Sequence, residues 1–157
     1  MSRIIIGIDP GEKGGIAILK DGKFKTYNMP LEYPDIYDLL FEIKEEYGND
    51  DVVIVMENVG HGIPGQSSKA TASFARHNGH LEMALYALCL RMVKVTPQKW
   101  QKFFSNSIGT PPTGPKAKTE WKNKLKSLAK QMYPDAKPTL NTADAILLAD
   151  YGKNMVM

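Results

Sequence analysis

Cysteine is nearly missing: Cys89 is the one thiol among 157 residues. That excludes an internal disulfide and any zinc site built on several thiolates, and it points to a reducing compartment in which an ordinary apolar core supplies the stability. Cys89 itself reads as a buried, inert side chain. Long hydrophobic runs are missing too. Runs such as Val52–Met56 and Ala145–Ala149 fall far short of the ~20 residues that cross a bilayer, and the first residues lack the pattern of a secretory signal. The expectation is a soluble cytoplasmic protein with no membrane partner. A second full domain does not fit either, because 43% hydrophobic and 24% charged residues in a chain of this length describe one globular unit, 1–157. Neither an internal repeat nor a low-complexity tract interrupts it.

Acidic residues are scarce in the second half. Residues 1–90 hold 8 Lys+Arg against 13 Asp+Glu and residues 91–157 hold 12 against 4, so the net +3 conceals halves of −5 and +8. Between Lys94 and Lys130 nine lysines meet a single acid, Glu120, with Trp100, Phe103, Phe104 and Trp121 interleaved. Lysines displace counterions from a polyanion and aromatic rings offer faces to unpaired bases, so this segment suits nucleic acid. It equally suits a solvated helix face over buried rings.

Apolar periodicity predicts alternating strands and helices. Arg3–Asp9 is a β-branched run closed by Pro10-Gly11. Ile16–Leu19 and Phe24–Tyr27 flank a Lys20-Asp21-Gly22-Lys23 turn, so the first forty residues read as three antiparallel strands. Ile36, Leu39, Leu40 and Ile43 then recur at helical spacing, with Asp35 as cap and Gly48 as stop. Asp51–Glu57 is a second continuous apolar run and reads as a central strand. A loop over 58–68 precedes a long helix from about Lys69 to Arg91, and Val93–Val95 returns as a strand. Thr96-Pro97 opens a helix, Ile108–Lys116 is too rich in Pro and Gly for regular structure, and a basic helix runs from about Thr119 to Met132. After a loop bounded by Pro134 and Pro138, Asn141 caps a last helix, Thr142–Tyr151, which Gly152 ends.

Asp9 and Glu57 each close an apolar strand, where an ionised carboxylate is costly unless it meets a cation or several donors. Asp144 sits among small residues that let its helix approach a sheet, and Asn141, three residues earlier, is ~60° away around the helix and faces the same way. Asp150 lies ~240° from Asp144 and points elsewhere. Three carboxylates and an amide oxygen make an oxygen-rich site for Mg²⁺ or Mn²⁺, and two such ions ~3.5–4 Å apart support phosphodiester hydrolysis. Each acid also has a plain structural reading: Asp9 as turn former, Glu57 as solvent acid, Asp144 as a favourable charge at a helix N-terminus. His77 and His80, at i and i+3, have a zinc-binding spacing without a third ligand nearby, so polar contacts are expected of them. Gly79 between them suggests close packing or an approach to DNA. Ala84, Leu85, Ala87, Leu88 and Met92 read as core or as a dimer face.

At these residues the sequence resembles the RuvC-like family of Holliday-junction resolvases, particularly the short versions of bacteriophages related to poxviral resolvases. The matching segments are Gly7-Ile8-Asp9-Pro10-Gly11, Val55-Met56-Glu57, Ser73–Gly79, Val95–Trp100 and Thr142–Gly152. They come in family order over nearly the whole chain. The resemblance implies a ribonuclease H-like fold, an α/β domain whose mixed five-stranded sheet, with its first three strands antiparallel, is flanked by helices. It implies Asp9, Glu57 and Asp144 as metal ligands, with Asn141 where relatives carry Asp or His. It places Lys118 near the scissile phosphate. A further basic position of the family is Gln101 here, for which Lys99 or Lys102 can substitute. An aromatic three residues after the active-site Glu in the bacterial enzymes is Gly60 here, beside His61. The resemblance also implies a homodimer through the long helix and a phage source, hence the host cytoplasm.

The function expected is metal-dependent endonucleolytic cleavage of four-way junctions and other branched DNA, with Mg²⁺ or Mn²⁺ as two-ion cofactor. Lys99, Lys102, Lys116, Lys118, Lys122, Lys124 and Lys126 are the expected DNA contacts. The alternatives are an RNase H-type or flap nuclease of the same fold and a catalytically silent module that binds branched DNA. An actin-like ATPase or sugar kinase would need well over twice the length.

Overall fold

Isoleucines dominate the first strand because it is buried on both faces. In the computed structural model, which describes residues 3–60 and 65–155, β1 (Arg3–Asp9) is the middle of a five-stranded sheet in the order β3-β2-β1-β4-β5. β2 (Gly15–Lys20) and β3 (Lys23–Asn28) run antiparallel to their neighbours, and β4 (Asp51–Glu57) and β5 (Arg91–Val95) run parallel to β1. Tight turns suffice for the antiparallel side, whereas the parallel strands require helical crossovers.

Successive residues of a strand point to opposite faces, and β1 divides the interior accordingly. Ile4, Ile6 and Ile8 pack beneath α1 (Tyr33–Tyr47) and α2 (Ser68–Ala87), together with Ile36, Leu40, Leu81 and Leu85. Ile5 faces the other side, where Trp100, Trp121, Leu125 and Ala145–Ala149 fill the core. That second layer consists of α3 (Pro97–Phe103), the short α4 (Ser105–Ile108), the basic α5 (Ala117–Met132), a 3₁₀ turn (Pro134–Ala136) and α6 (Ala143–Met155).

At two points the sheet and α6 approach so closely that only glycine fits. A Cβ on Gly7 would lie 2.0 Å from the carbonyl oxygen of Ala145, and one on Gly152 would lie 2.6 Å from Cγ2 of Val55. Glycine at position 7 lets strand backbone approach helix backbone, and glycine at position 152 lets the α6 backbone settle onto the side chains of Val55 and Ile5. It also corrects an expectation, because Gly152 packs inside α6 rather than ending it, and the helix continues to Met155.

Other boundaries move for local reasons. α1 begins at Tyr33 with Glu32 at its cap position and no side-chain cap, so Asp35 is a first-turn charge. α2 stops at Ala87, which frees Arg91 and Met92 to pair with Val53 and Ile54 as part of β5. α5 starts at Ala117. α6 starts at Ala143, so its cap position falls to Thr142, whose hydroxyl is hydrogen-bonded with Thr139; Asn141 does not cap it. Cys89 is exposed, not buried, because it occupies a left-handed position (φ 55°) in the turn that reverses the chain after α2. A Cβ on Gly79 would meet nothing within 4 Å, so packing does not explain that glycine. Of the expected loop over 58–68, residues 61–64, including His61, lie outside the described residues. No helix among the described residues is long and apolar enough to cross a membrane.

Candidate active site

Parallel pairing aligns strand ends. Ile8 pairs with Met56 in the β1–β4 register, so the next residue of each strand, Asp9 and Glu57, emerges at the same edge of the sheet. α6 crosses that edge from the side of Gly7 and brings in Asp144 from its first turn. All three carboxylates are buried, with residue exposures of 7%, 7% and 5%. Burial raises the Asp9 pKa well above the usual carboxylate range, and the charges of Asp144 and Glu57 raise it further. Glu57 is pushed up to about 7, again chiefly by burial, against which a hydrogen bond from Trp100 works. Concentrated negative charge of this kind, in so little water, requires a cationic partner.

One such partner is already in place. The Lys122 ammonium, reaching in from α5, lies 2.8 Å from Asp144 Oδ2 and 3.9 Å from Asp9 Oδ2. Burial opposes its charge, but Asp144 and Asp9 outweigh burial and raise its pKa. Asp144 Oδ1, by contrast, is buried with no hydrogen-bond partner among the described residues. On the far side of the site the Trp100 indole Nε1 donates to Glu57 Oε2 over 2.7 Å, both groups being buried. This bond fixes the rotamer of Glu57, leaving Oε1 outside it.

Beside the acids opens a cleft of about 330 Å³ lined by Lys13 from the β1–β2 loop, by Lys118, Lys122 and Asn123 on α5, and by Asn141. Lys122 links the cleft to the acids, since it lines this cleft and its ammonium pairs with Asp144. Of the expected phosphate contacts, Lys118 and Lys122 are brought to this cleft. Lys102 lines a separate pocket with Pro97, Gln101, Pro111 and Trp121. Lys99, Lys116 and Lys124 are exposed, and Lys126 is half-buried. Lys124 lies ~200° around α5 from Lys122, so it faces away from the acids.

Two residues do more than their sequence context indicates. Trp100, which the sequence left open as a stacking face for bases or a buried ring, is fully buried and serves Glu57. Phe104 and Trp121 are buried as well, and Phe103 alone of the four interleaved rings is substantially exposed, at 41%. The rings are consumed by the second core because α3 and α5 have few other large apolar side chains to dock with. Lys122, expected on DNA, is held by the acids. The clue available in the sequence was its i+4 spacing from Lys118, which places both on one helix face; Lys13 had no comparable signal.

The donor set fits a hard divalent cation: it is all oxygen, it carries three carboxylates against one lysine, and it includes an unpartnered buried oxygen. Among the described residues, however, no three Asp, Glu, His or Cys side chains yet converge on one ion-sized point. The ammonium of Lys122 stands against two of the three acids, Asp144 and Asp9. His77 and His80 form no such group either. His80 stacks on Tyr33 with ring centroids 3.8 Å apart, and the Nε2 atoms of both histidines are buried without a hydrogen-bond partner, so the expected polar contacts are not made at these atoms. Asp150 points away from the acids and accepts a short hydrogen bond from the Tyr133 hydroxyl.

No protein-family model matches the sequence, and no curated protein matches it. Solved structures do match the fold. RuvC of Thermus thermophilus in complex with a Holliday-junction substrate aligns with a TM-score of 0.64 over 97% of this chain and 96% of its own, at 11% identity. The fold is that of RuvC. A further structure of T. thermophilus RuvC gives a TM-score of 0.61 over 98% of this chain and 96% of that one, at 14% identity. The RuvC-like, ribonuclease H-like arrangement thus extends over nearly the whole chain, its mixed sheet antiparallel from β1 to β3 and parallel from β1 to β5. In that arrangement the central strand and its parallel neighbour end side by side, which is why two acids far apart in sequence share one edge.

Proposed function

We propose that this protein is a divalent-metal-dependent endodeoxyribonuclease that hydrolyses phosphodiesters at the crossover of four-way junctions and related branched DNA. The observation that carries the reading is the convergence of Asp9, Glu57 and Asp144 at one edge of a RuvC-like sheet, directly beside a cleft lined by Lys13 and Lys118. A cluster of buried acids alone is a cation site; joined to a basic cleft it is suited to a phosphodiester, because the cleft binds the phosphate that the cation then polarises.

Asp9, Glu57 and Asp144 are the residues that would hold Mg²⁺ or Mn²⁺, with Asn141 beside them as a neutral oxygen donor. When bound, such a cation or pair of cations lowers the pKa of water and offsets the charge of the leaving oxygen. Trp100 orients Glu57 through its Nε1–H, so that one carboxylate oxygen is committed and the other stays available to the site. Lys118 and Lys13 bind the phosphate and balance the charge that grows on it as the bond breaks. Lys116 and the exposed lysines of α3 and α5 extend the attraction along the DNA backbone.

A symmetric junction has two strands to cut, and a homodimer supplies two sites. Support for that state comes from α1 and α2, which leave Tyr33, Tyr37, Phe41, Met83 and Tyr86 exposed, with Tyr33, Tyr37, Met83 and Ala87 lining one apolar groove. Incubation of a labelled four-way junction with Mg²⁺, alongside linear duplex, flap and RNA–DNA hybrid, tests the reading. Preferential paired nicking of the junction is expected. Preference for flap or hybrid would reassign the substrate, and binding without cleavage of any of them would make the chain a binding module.

A further inference from the structure

Resting on the metal-dependent reading above, we infer that Lys122 is a tethered counter-ion: its ammonium holds the acidic cluster together in the absence of a divalent cation and competes with that cation for Asp144 and Asp9.

Three observations point to this role. First, the ammonium is 2.8 Å from Asp144 Oδ2 and 3.9 Å from Asp9 Oδ2, so it already occupies coordination space on two of the three acids. Second, the pairing is incomplete. Asp144 is buried, yet its Oδ1 has no partner among the described residues. One ammonium leaves three carboxylates under-neutralised, and a divalent ion would balance them better. Third, among the described residues no three acid side chains converge on an ion-sized point as they stand, while the ammonium already stands against two of the three; a divalent ion that drew those acids in would have to displace it.

Lys122 has somewhere to go. It also lines the cleft shared with Lys13, Lys118, Asn123 and Asn141, and its side chain keeps 38% of its surface exposed. Rotation about its own stem carries the ammonium from the carboxylates into that cleft, where a DNA phosphate can receive it. Since a ligand shifts an equilibrium only through its different affinity for the two states, whatever removes Lys122 from the acids must tighten metal binding. Lys118 shares the cleft but forms no ion pair with the acids, so the role belongs to Lys122.

The test measures Mn²⁺ binding to the full-length protein at pH 8, without DNA, by the loss of the free-ion paramagnetic resonance signal. Thermal melting is recorded in parallel in EDTA and in Mn²⁺. Lys122→Met keeps the length of the stem and deletes the charge; Lys122→Arg keeps the charge. Lys122→Met is expected to bind Mn²⁺ about tenfold more tightly, the effect of removing one nearby partly screened positive charge. It should also melt below wild type in EDTA and recover at least to wild type in Mn²⁺. Lys122→Arg should follow wild type in both measurements, a rescue that a merely structural stem would not distinguish. An Mn²⁺ affinity unchanged or weakened in Lys122→Met, or an unchanged melting point in EDTA, overturns the inference while leaving the nuclease reading intact. Asp144→Asn is the control: Mn²⁺ uptake insensitive to it would overturn both.

Discussion

Replacing Gly7 by Ala tests whether the backbone contact between β1 and α6 sets the geometry of the acids. The added methyl would lie 2.0 Å from the Ala145 carbonyl oxygen and 2.8 Å from the Ala149 amide nitrogen, where ordinary contact begins at 3.4 Å. The shortfall against the carbonyl is 1.4 Å, both obstructing atoms are backbone, and neither can rotate away. α6 must therefore lift from the sheet, carrying Asp144 away from Asp9 and Glu57. Overpacking of this kind costs ~1–3 kcal/mol and sometimes more, which for a domain of this size lowers the melting temperature by roughly 2–12 °C. A displacement near 1 Å at the reacting groups costs about 10²-fold in rate. The assays are thermal melting and single-turnover cleavage of a four-way junction, with junction binding by gel shift in Ca²⁺ as control. Binding should persist, because the exposed lysines of α3 and α5 keep their charge. A Gly7→Ala protein that melts within about 2 °C of wild type (an effect smaller than ~1 kcal/mol) and cuts at the normal rate would refute the argument, since it would show that α6 can lift without moving the site.

Asp9→Asn, Glu57→Gln and Asp144→Asn should each abolish junction cleavage and leave Ca²⁺-supported binding near wild type; wild-type cutting by any one of them would remove that acid from the site. Glu57 also makes a pH-dependent contribution to stability. Its folded pKa of about 7 lies above the ordinary 4.5, so in metal-free protein its stabilising effect is full below pH 4.5 and is lost as pH rises through 7. Melting in EDTA should accordingly show Glu57→Gln gaining on wild type between about pH 5 and pH 8, and a constant difference across that range would contradict the burial argument. Lys118→Ala should reduce single-turnover cleavage far more than binding, because its partner charge grows in the transition state. Lys99→Ala combined with Lys102→Ala should instead flatten the dependence of log affinity on log salt by roughly 0.9 for each duplex phosphate that is no longer neutralised. Equal salt slopes would place these two lysines off the DNA.

Much of this arrangement was legible in the sequence alone, and for a local reason. Ile4–Ile8 and Val52–Met56 read as buried strands from their short, β-branched apolar runs, and an acid at the end of such a strand is energetically conspicuous without any coordinates. The small residues before and after Asp144 likewise announce a helix that approaches a sheet. The family resemblance carried by those segments matches the RuvC-like fold, including the antiparallel first three strands. What neighbouring residues could not disclose is which groups meet across the fold. Trp100 and Glu57 are 43 positions apart, and nothing near either one indicates that an indole will spend its N–H on a carboxylate and not its face on a base. Lys122 looks like any other lysine of a basic helix until α5 docks beside α6 and turns it toward two buried acids. Gly152 resembles a helix stop until the sheet beneath it is present, and Cys89 resembles core until the turn after α2 points it outward. Strand, helix and buried acid follow from spacing along the chain; which cation those acids hold, and what stands between them, follows from packing across it.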